Sequence, residues 1–380
     1  IFICTIAVCA LSVTVFADDV WNGSVDTTWY VEGSSEYTLT TAEQLAGLAQ
    51  LVYEGNEFRD VAFYLGDNID LNNQEWLPIG AKDDADTTHT FYGSFDGQGY
   101  TISNLKITVV DNNGVLKFGN ETPTHSDNKI GLFGYTGADI TDFTVHNVDV
   151  DGTVLGGSGE NGASGGATAA VIGCPKNSQS TVSDIHVTGD IKVKGNHYVG
   201  VIMGRHEFTS FKNCSVDGNI YLTGNSYVGV IAAGGTANAG SRNVTFEDCT
   251  VSGHAEISGS YCVGAIAGAV ESSGADSTTT ATNCVVDLDE SSYLKCSGKY
   301  YAGGIFGKTG WGSGAATLTN CSSNIDIEAD LNAGGMIGYC SSSVAIDNCS
   351  YTGNIAGEDS GAVLGKIQSV SYTHLTLPTT

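Results

Sequence analysis

The sequence predicts an all-β chain built as a right-handed parallel β-helix, a solenoid of about eight coils preceded by an N-terminal capping segment with one α-helix. Three observations predict it: a short apolar run closed by glycine recurs along the chain, a second unit built on Asn or Asp recurs between those runs, and no capped helical period is found between Ser103 and Ser369.

The glycine-closed runs are Gly131-Leu-Phe-Gly134, Ala170-Val-Ile-Gly173, Gly200-Val-Ile-Met-Gly204, Gly229-Val-Ile-Ala-Ala233, Gly264-Ala-Ile-Ala-Gly268, Gly303-Gly-Ile-Phe-Gly307, Gly334-Gly-Met-Ile-Gly338 and Gly361-Ala-Val-Leu-Gly365. One such run can cradle a phosphate, but phosphate loops occur once and open a helix. Runs that recur without a following helix are scaffold. In the run Tyr301 to Gly307, Gly303 and Gly307 are expected to bracket a short strand whose Ile305 points into the coil.

The second unit is apolar-x-Asn/Asp-small-x-apolar, as in Phe211-Lys-Asn213-Cys214-Ser-Val216 and Phe246-Glu-Asp248-Cys249-Thr-Val251, and it returns at Leu318 to Cys321 and Ile346 to Cys349. Counted from each Cys, the apolar residues lie three before and two after, an odd separation that a straight strand cannot keep on one face. The chain must bend, at the residue types that best tolerate left-handed backbone angles. A third alternation follows in Ile191-x-Val193, Ile220-x-Leu222 and Ile325-x-Ile327. Positions 105, 143, 185, 214, 249, 284, 321 and 349 align, which gives repeats of 28 to 42 residues. Three strands per repeat without helices describe a parallel β-helix, right-handed by the default for parallel crossovers.

Gly131-Leu132-Phe133-Gly134 resembles the GLUG motif of secreted bacterial surface proteins, which is found in some immunoglobulin A peptidases and adhesin-like proteins. The resemblance covers nearly all of the chain after its leader, although several runs depart from Leu at the second position. It implies a cell-surface β-helix. The stretch Tyr92 to Leu105 also resembles the region that precedes GLUG repeats. Ahead of it, Thr41 with Gln44, the stripe Leu45, Leu48 and Val52, and Gly55 predict one amphipathic helix. With Trp76, that helix is expected to cover the open end of the first coil.

The domain reading is therefore an incomplete signal peptide over 1–17, a cap over 18–100, the β-helix over 101–369 and a foreign tail over 370–380. The first 17 residues carry no charge and end in Val15-Phe16-Ala17 before Asp18-Asp19, as a signal-peptidase site requires. Val370 to Thr379 breaks every repeat pattern and resembles a translated sequencing adapter, so the natural protein is expected to continue past Ser369. Leu377-Pro378-Thr379-Thr380 also resembles the start of a sortase signal, without its Gly, apolar helix or basic tail.

Composition bounds the partners. The 380 residues hold 51 Gly and carry 15 Lys+Arg against 42 Asp+Glu, a formal net charge of −27. Such a field repels nucleic acid, anionic lipid and acidic polysaccharide. The expected partners are host or bacterial surface glycans or proteins, with no nucleic acid and no membrane span.

No catalytic set emerges. His206-Glu207-Phe208-Thr209-Ser210 starts like a zinc-protease motif, but Ser210 stands where the second ligand is needed. Asn147-Val-Asp149-Val-Asp151-Gly152 has a calcium-loop start, yet Ser158 stands where the loop requires Glu, and alternation with Val148 and Val150 fits a strand with outward acids. No cofactor is expected, and Ca2+ somewhere on the acidic surface stays open. Nine cysteines follow the leader without a Cys-x-x-Cys pair. Because the Cys214 position is expected to hold Ile185, Phe143 and Leu105 in earlier repeats, it reads as core. Polysaccharide lyases and hydrolases share this architecture, but basic residues are sparse and the densest acids, Asp83, Asp84 and Asp86, fall in the cap. Tyr198, Tyr227 and Tyr301 stand two residues before a glycine run and Tyr261 three before; they form either an exposed ladder that stacks on sugars or a ladder that stacks on itself. The functional expectation is a non-catalytic stalk or adhesin-like module. The alternative is the non-catalytic part of a surface peptidase or carbohydrate-active enzyme.

Overall fold

The computed structural model describes residues 20–367, apart from 120–121, 157–164, 177–179, 207–208, 236–242, 271–276, 299, 311–313 and 342. The expected leader (1–17) and foreign tail (370–380) lie outside the described residues.

The chain winds as a parallel β-helix with three sheets along its axis. Eight coils each give one rung to a first short sheet, from Lys129–Ile130 to Asp359–Gly361, and one to a second short sheet, from Phe133–Thr136 to Leu364–Ile367. The long sheet carries the rest. Its rungs run in parallel register from Glu36–Leu39 through Ala62–Leu65, Ser94–Asp96, Ile140–Gly152, Ser180–Gly195, Thr209–Lys212, Val244–Glu247, Thr278–Thr282 and Ala315–Thr319 to Val344–Asp347. At about 4.8 Å per step, that ladder is roughly 40 Å long. Because it starts at Glu36, the stretch 18–100 is continuous with the coils as well as covering their end.

The Asn/Asp bend is a left-handed corner. Asp184, Asn213, Asp248, Asn283, Asn320 and Asn348 all have φ between 49° and 57°. A non-glycine residue pays for that conformation, and Asn and Asp pay least because their side chains bond locally. Here they also bond along the axis: Asn213 Nδ2 donates to Asp184 at 2.6 Å, Asn283 to Asp248 at 2.9 Å, Asn320 to Asn283 at 3.1 Å and Asn348 to Asn320 at 2.8 Å. The cysteine after each corner turns inward. Cys214, Cys249, Cys284 and Cys321 are buried, and each thiol donates to the carbonyl two residues back, which closes the bend. All nine described cysteines are free thiols.

Two expectations are corrected. Leu105 does not stand in the cysteine column; it pairs with Val148, whereas Phe143 pairs with Ile185. The early coils have two left-handed corners, at Asp142 and Asn147, and counting a single bend per repeat shifts the register. The run Tyr301 to Gly307 is likewise no single strand. Tyr301–Gly303 and Phe306–Thr309 belong to different sheets, and Gly304-Ile305 turns the corner between them. Ile305 is fully buried there, with its amide on Met336 O and its own carbonyl accepting from Ile266. Gly303 is needed for close approach: a Cβ would sit 2.0 Å from Phe306 O and 2.7 Å from Gly338 N.

Helix α1 spans Ala42–Tyr53, with Thr41 as N-cap accepting from the Gln44 amide and Gln44 reaching back to the Thr40 amide. Leu45, Leu48 and Val52 face the core, as their spacing predicts. The chain at Asp26 crosses the helix at Gly47, where a Cβ would meet Asp26 O at 2.0 Å. Trp76 is buried beneath the cap, its indole nitrogen donating to Leu132 O at 3.1 Å and its ring edge-on to Trp21. An antiparallel hairpin unseen in the sequence reading joins Thr101–Asn112 to Val115–Phe118 through Asn113-Gly114, a dipeptide that fits its two positive φ angles.

Candidate functional site

The outward residues of the coil fall on two different faces. On the corner face, the two short sheets meet at the Ile305 column and their outer residues fold toward each other. Tyr198 pairs in register with Tyr227, Tyr227 with Cys262 and Cys262 with Tyr301. The first two rings stack at 5.0 Å and 10°, and Tyr261 meets Tyr227 edge-on at 5.1 Å. Tyr301 turns to Tyr339, stacked at 4.4 Å. Tyr198, Tyr227 and Tyr261 are buried and Tyr301 half-buried, so the exposed ladder for sugars is not present at these positions. The cause lies across the corner. Small residues, Ala233 and Ala269, share the same outer cluster, and Gly234 leaves its Cβ space to Tyr227.

An ammonium group on this face is buried too, and an imidazole is buried inside the coil behind it. Lys129 donates to the carbonyls of Asp127 and Gly165, and burial lowers its pKa to about 8. His206 is wholly enclosed; its Nε2 donates to Ala269 O at 3.0 Å, and burial lowers its pKa to about 4. Glu207, the next residue of the zinc-like motif, lies outside the described residues.

The long-sheet face is open. One column of outward residues runs Lys106, Asp149, Lys192, Tyr221, Glu256, Tyr293 and Asp326, each paired with the next. Tyr221 and Tyr293 are 37% and 39% exposed. The Tyr293 hydroxyl donates to Glu256 at 3.1 Å, and the Tyr221 ring lies 6.1 Å from His254. His254 Nδ1 sits 3.2 Å from both oxygens of Asp289, a contact that raises its pKa. These tyrosines escaped the sequence reading, though the signal was there: Tyr221 lies between the inward Ile220 and Leu222, and Tyr293 precedes the inward Leu294. Asn147 to Gly152 lies within the strand Ile140–Gly152, with Val148 and Val150 buried and Asp149 exposed.

The cap holds two polar clusters. A cleft of about 850 Å3 is lined by Trp21, Val25, Gln50, Gln74, Glu75 and Lys106, among others. Its carboxylate is already engaged, because Glu75 accepts from Lys106 at 2.8 Å and from the Thr108 amide and hydroxyl at 2.9 and 3.0 Å. In the second cluster, Asp86, His125 and Asp127 point ligand atoms within 4.8 Å of one another. The Lys82 ammonium already sits among them, 2.5 Å from Asp86 and 2.8 Å from Asp127. Burial pushes the Lys82 pKa down, but the two carboxylates outweigh it and hold the pKa above its ordinary value. Among the described residues, no helix is long and apolar enough to cross a membrane.

No family model matches the chain. Over 190 residues, 48% of its length, the chain is 26% identical to halomucin of Haloquadratum walsbyi, of which it spans only 2%. Among solved structures it is similar to a candidate immunoglobulin A1 protease of Bacteroides ovatus, at 16% identity and a TM-score of 0.46, covering 88% of this chain and 77% of that one.

Proposed function

We propose that this chain is a non-catalytic module of a secreted or cell-surface protein, a rigid spacer whose outer face makes weak repeated contacts with surface glycans or proteins. The observation that carries the reading is the continuous parallel pairing of the long sheet from Glu36 to Asp347, which persists through a register shift between His146 and Val148. A solenoid of that kind is stiff along its axis and presents equivalent side chains at a fixed spacing, which suits multivalent adhesion. The partial likeness to halomucin fits such a placement. The GLUG resemblance of Gly131 to Gly134 points the same way.

The test pairs adhesion with catalysis. The purified chain is expected to adhere to mucin-coated or bacterial-cell surfaces and to leave casein, immunoglobulin A and polysaccharide substrates intact. Turnover of any of these substrates by the chain, lost on mutation of a described residue, overturns the non-catalytic reading; failure to adhere to any surface reduces the module to a spacer.

A further inference from the structure

We propose that the outer face of the long sheet, centred on Tyr221 and Tyr293, binds a neutral, extended polysaccharide chain that lies along the solenoid axis with a sugar ring against each tyrosine. The proposal rests on the adhesive reading above and names its ligand class.

The spacing comes first. Tyr221 pairs with Glu256 and Glu256 with Tyr293, so the two rings stand on one straight column, two rungs apart. Two rungs span about 10 Å. That matches the repeat of an extended disaccharide unit, so alternate sugars of one chain meet successive tyrosines. Both rings are more than a third exposed, and the Tyr293 hydroxyl reaches back along the axis to Glu256. A pyranose presents axial C–H groups on its flat side, and these pack on an aromatic face while its hydroxyls stay free at the edges.

Those edges find partners on both sides. One neighbouring column runs Thr223, Ser258 and Lys295, and the other pairs Asn219 with His254. Hydroxyl, ammonium, amide and imidazole groups therefore flank the aromatic line, groups of the kinds that exchange hydrogen bonds with sugar hydroxyls. Charge fixes the ligand class. With a net charge of −27 and Glu256 between the rings, a polyanionic chain is repelled, whereas a neutral one pays no such cost. The buried corner-face tyrosines cannot substitute, because their faces are spent on one another.

The experiment is native affinity electrophoresis of the full chain in gels that contain hydroxyethyl cellulose, mixed-linkage β-glucan or galactomannan, with polygalacturonate as the anionic control. At least one neutral polymer is expected to retard the wild type, and the polyanion none. Tyr221→Ala and Tyr293→Ala should each weaken retardation about tenfold, which corresponds to roughly 1.4 kcal/mol. The double variant should migrate as in an empty gel with an unchanged melting temperature, and Lys212→Ala should behave as wild type. Retention of full binding by the double variant, or no retardation by any of the three neutral polymers, overturns the proposal. Adhesion of the wild type to mucin or cells in that last case leaves the adhesive reading standing with another ligand, whereas loss of both removes the two together.

Discussion

Tyr227 and Tyr221 stand six residues apart in one coil, and His206 and His254 lie in the coils on either side of it, yet the members of each pair meet opposite environments. On the corner face Tyr227 is 2% exposed, and inside the coil His206 is enclosed and held neutral; on the long-sheet face, Tyr221 is 37% exposed and His254 is drawn toward its charged form by Asp289. Tyr227, Tyr221 and His254 point out of the coil, whereas His206 stands in an inward column, level with Gly235, Val270 and Cys340. What separates the two tyrosines is what lies opposite: two short sheets that fold their outer residues together at a corner, against a broad sheet whose outward column is open among the described residues. In a solenoid, therefore, pointing outward and being exposed are different properties, and function belongs to the face where they coincide.

The largest test of this division concerns the corner itself. Ile305→Asp puts a carboxylate into the column that both short sheets share, where no partner for it is present among the described neighbours. Burying an unpaired carboxyl costs several kcal/mol even when it protonates, a large share of a domain's stability. The variant is expected to lose cooperative melting by circular dichroism, and a wild-type melting curve would sink the assignment. Tyr227→Ala comes next. It empties a buried ring site stacked on Tyr198 and should cost about 3 to 5 kcal/mol in chemical denaturation.

The two histidines sharpen the comparison through pH. His206 has its folded pKa depressed to about 4, below its ordinary 6.5, so its contribution is intact above pH 6.5 and is lost as pH falls toward 4. Over that window the wild type should lose roughly 3 kcal/mol that a His206→Gln variant does not. His254 has the opposite sign: its folded pKa is raised by Asp289, so its contribution is full below about pH 6.5 and fades as pH rises through the folded value. Being open to solvent, it should move the melting temperature little. Equal pH slopes for wild type and His206→Gln would show that water reaches the His206 site.

Much of this fold was legible because it is periodic. The Asn/Asp-Cys unit announces a left-handed corner, and Asn283, with φ of 54°, is such a corner. Asn283→Ala should cost about 1 to 2 kcal/mol and Asn283→Gly less, since only the first meets the left-handed penalty. The stripe Leu45, Leu48 and Val52 with Thr41 likewise announces helix α1. What sequence could not give is register between non-repeating coils, hence the misplacement of Leu105, and what covers an outward side chain. Tyr227 is buried because Gly234 and Ala233 are small, and no local pattern around Tyr227 contains that fact. For Tyr221 the local pattern was sufficient, because alternation alone places it outward between the buried Ile220 and Leu222.

The smallest expected effect is therefore the most telling. Tyr221→Ala and Tyr293→Ala remove rings that are more than a third exposed and that contact mainly polar neighbours, His254 and Glu256. Surface truncations of this kind stay within about 0.5 kcal/mol. Each variant should thus unfold at nearly the wild-type denaturant midpoint, although it deletes the same number of atoms as Tyr227→Ala on the other face. If the long-sheet tyrosines instead cost as much as Tyr227, their rings are structural, and the open face is a second buried seam rather than a surface kept for a partner.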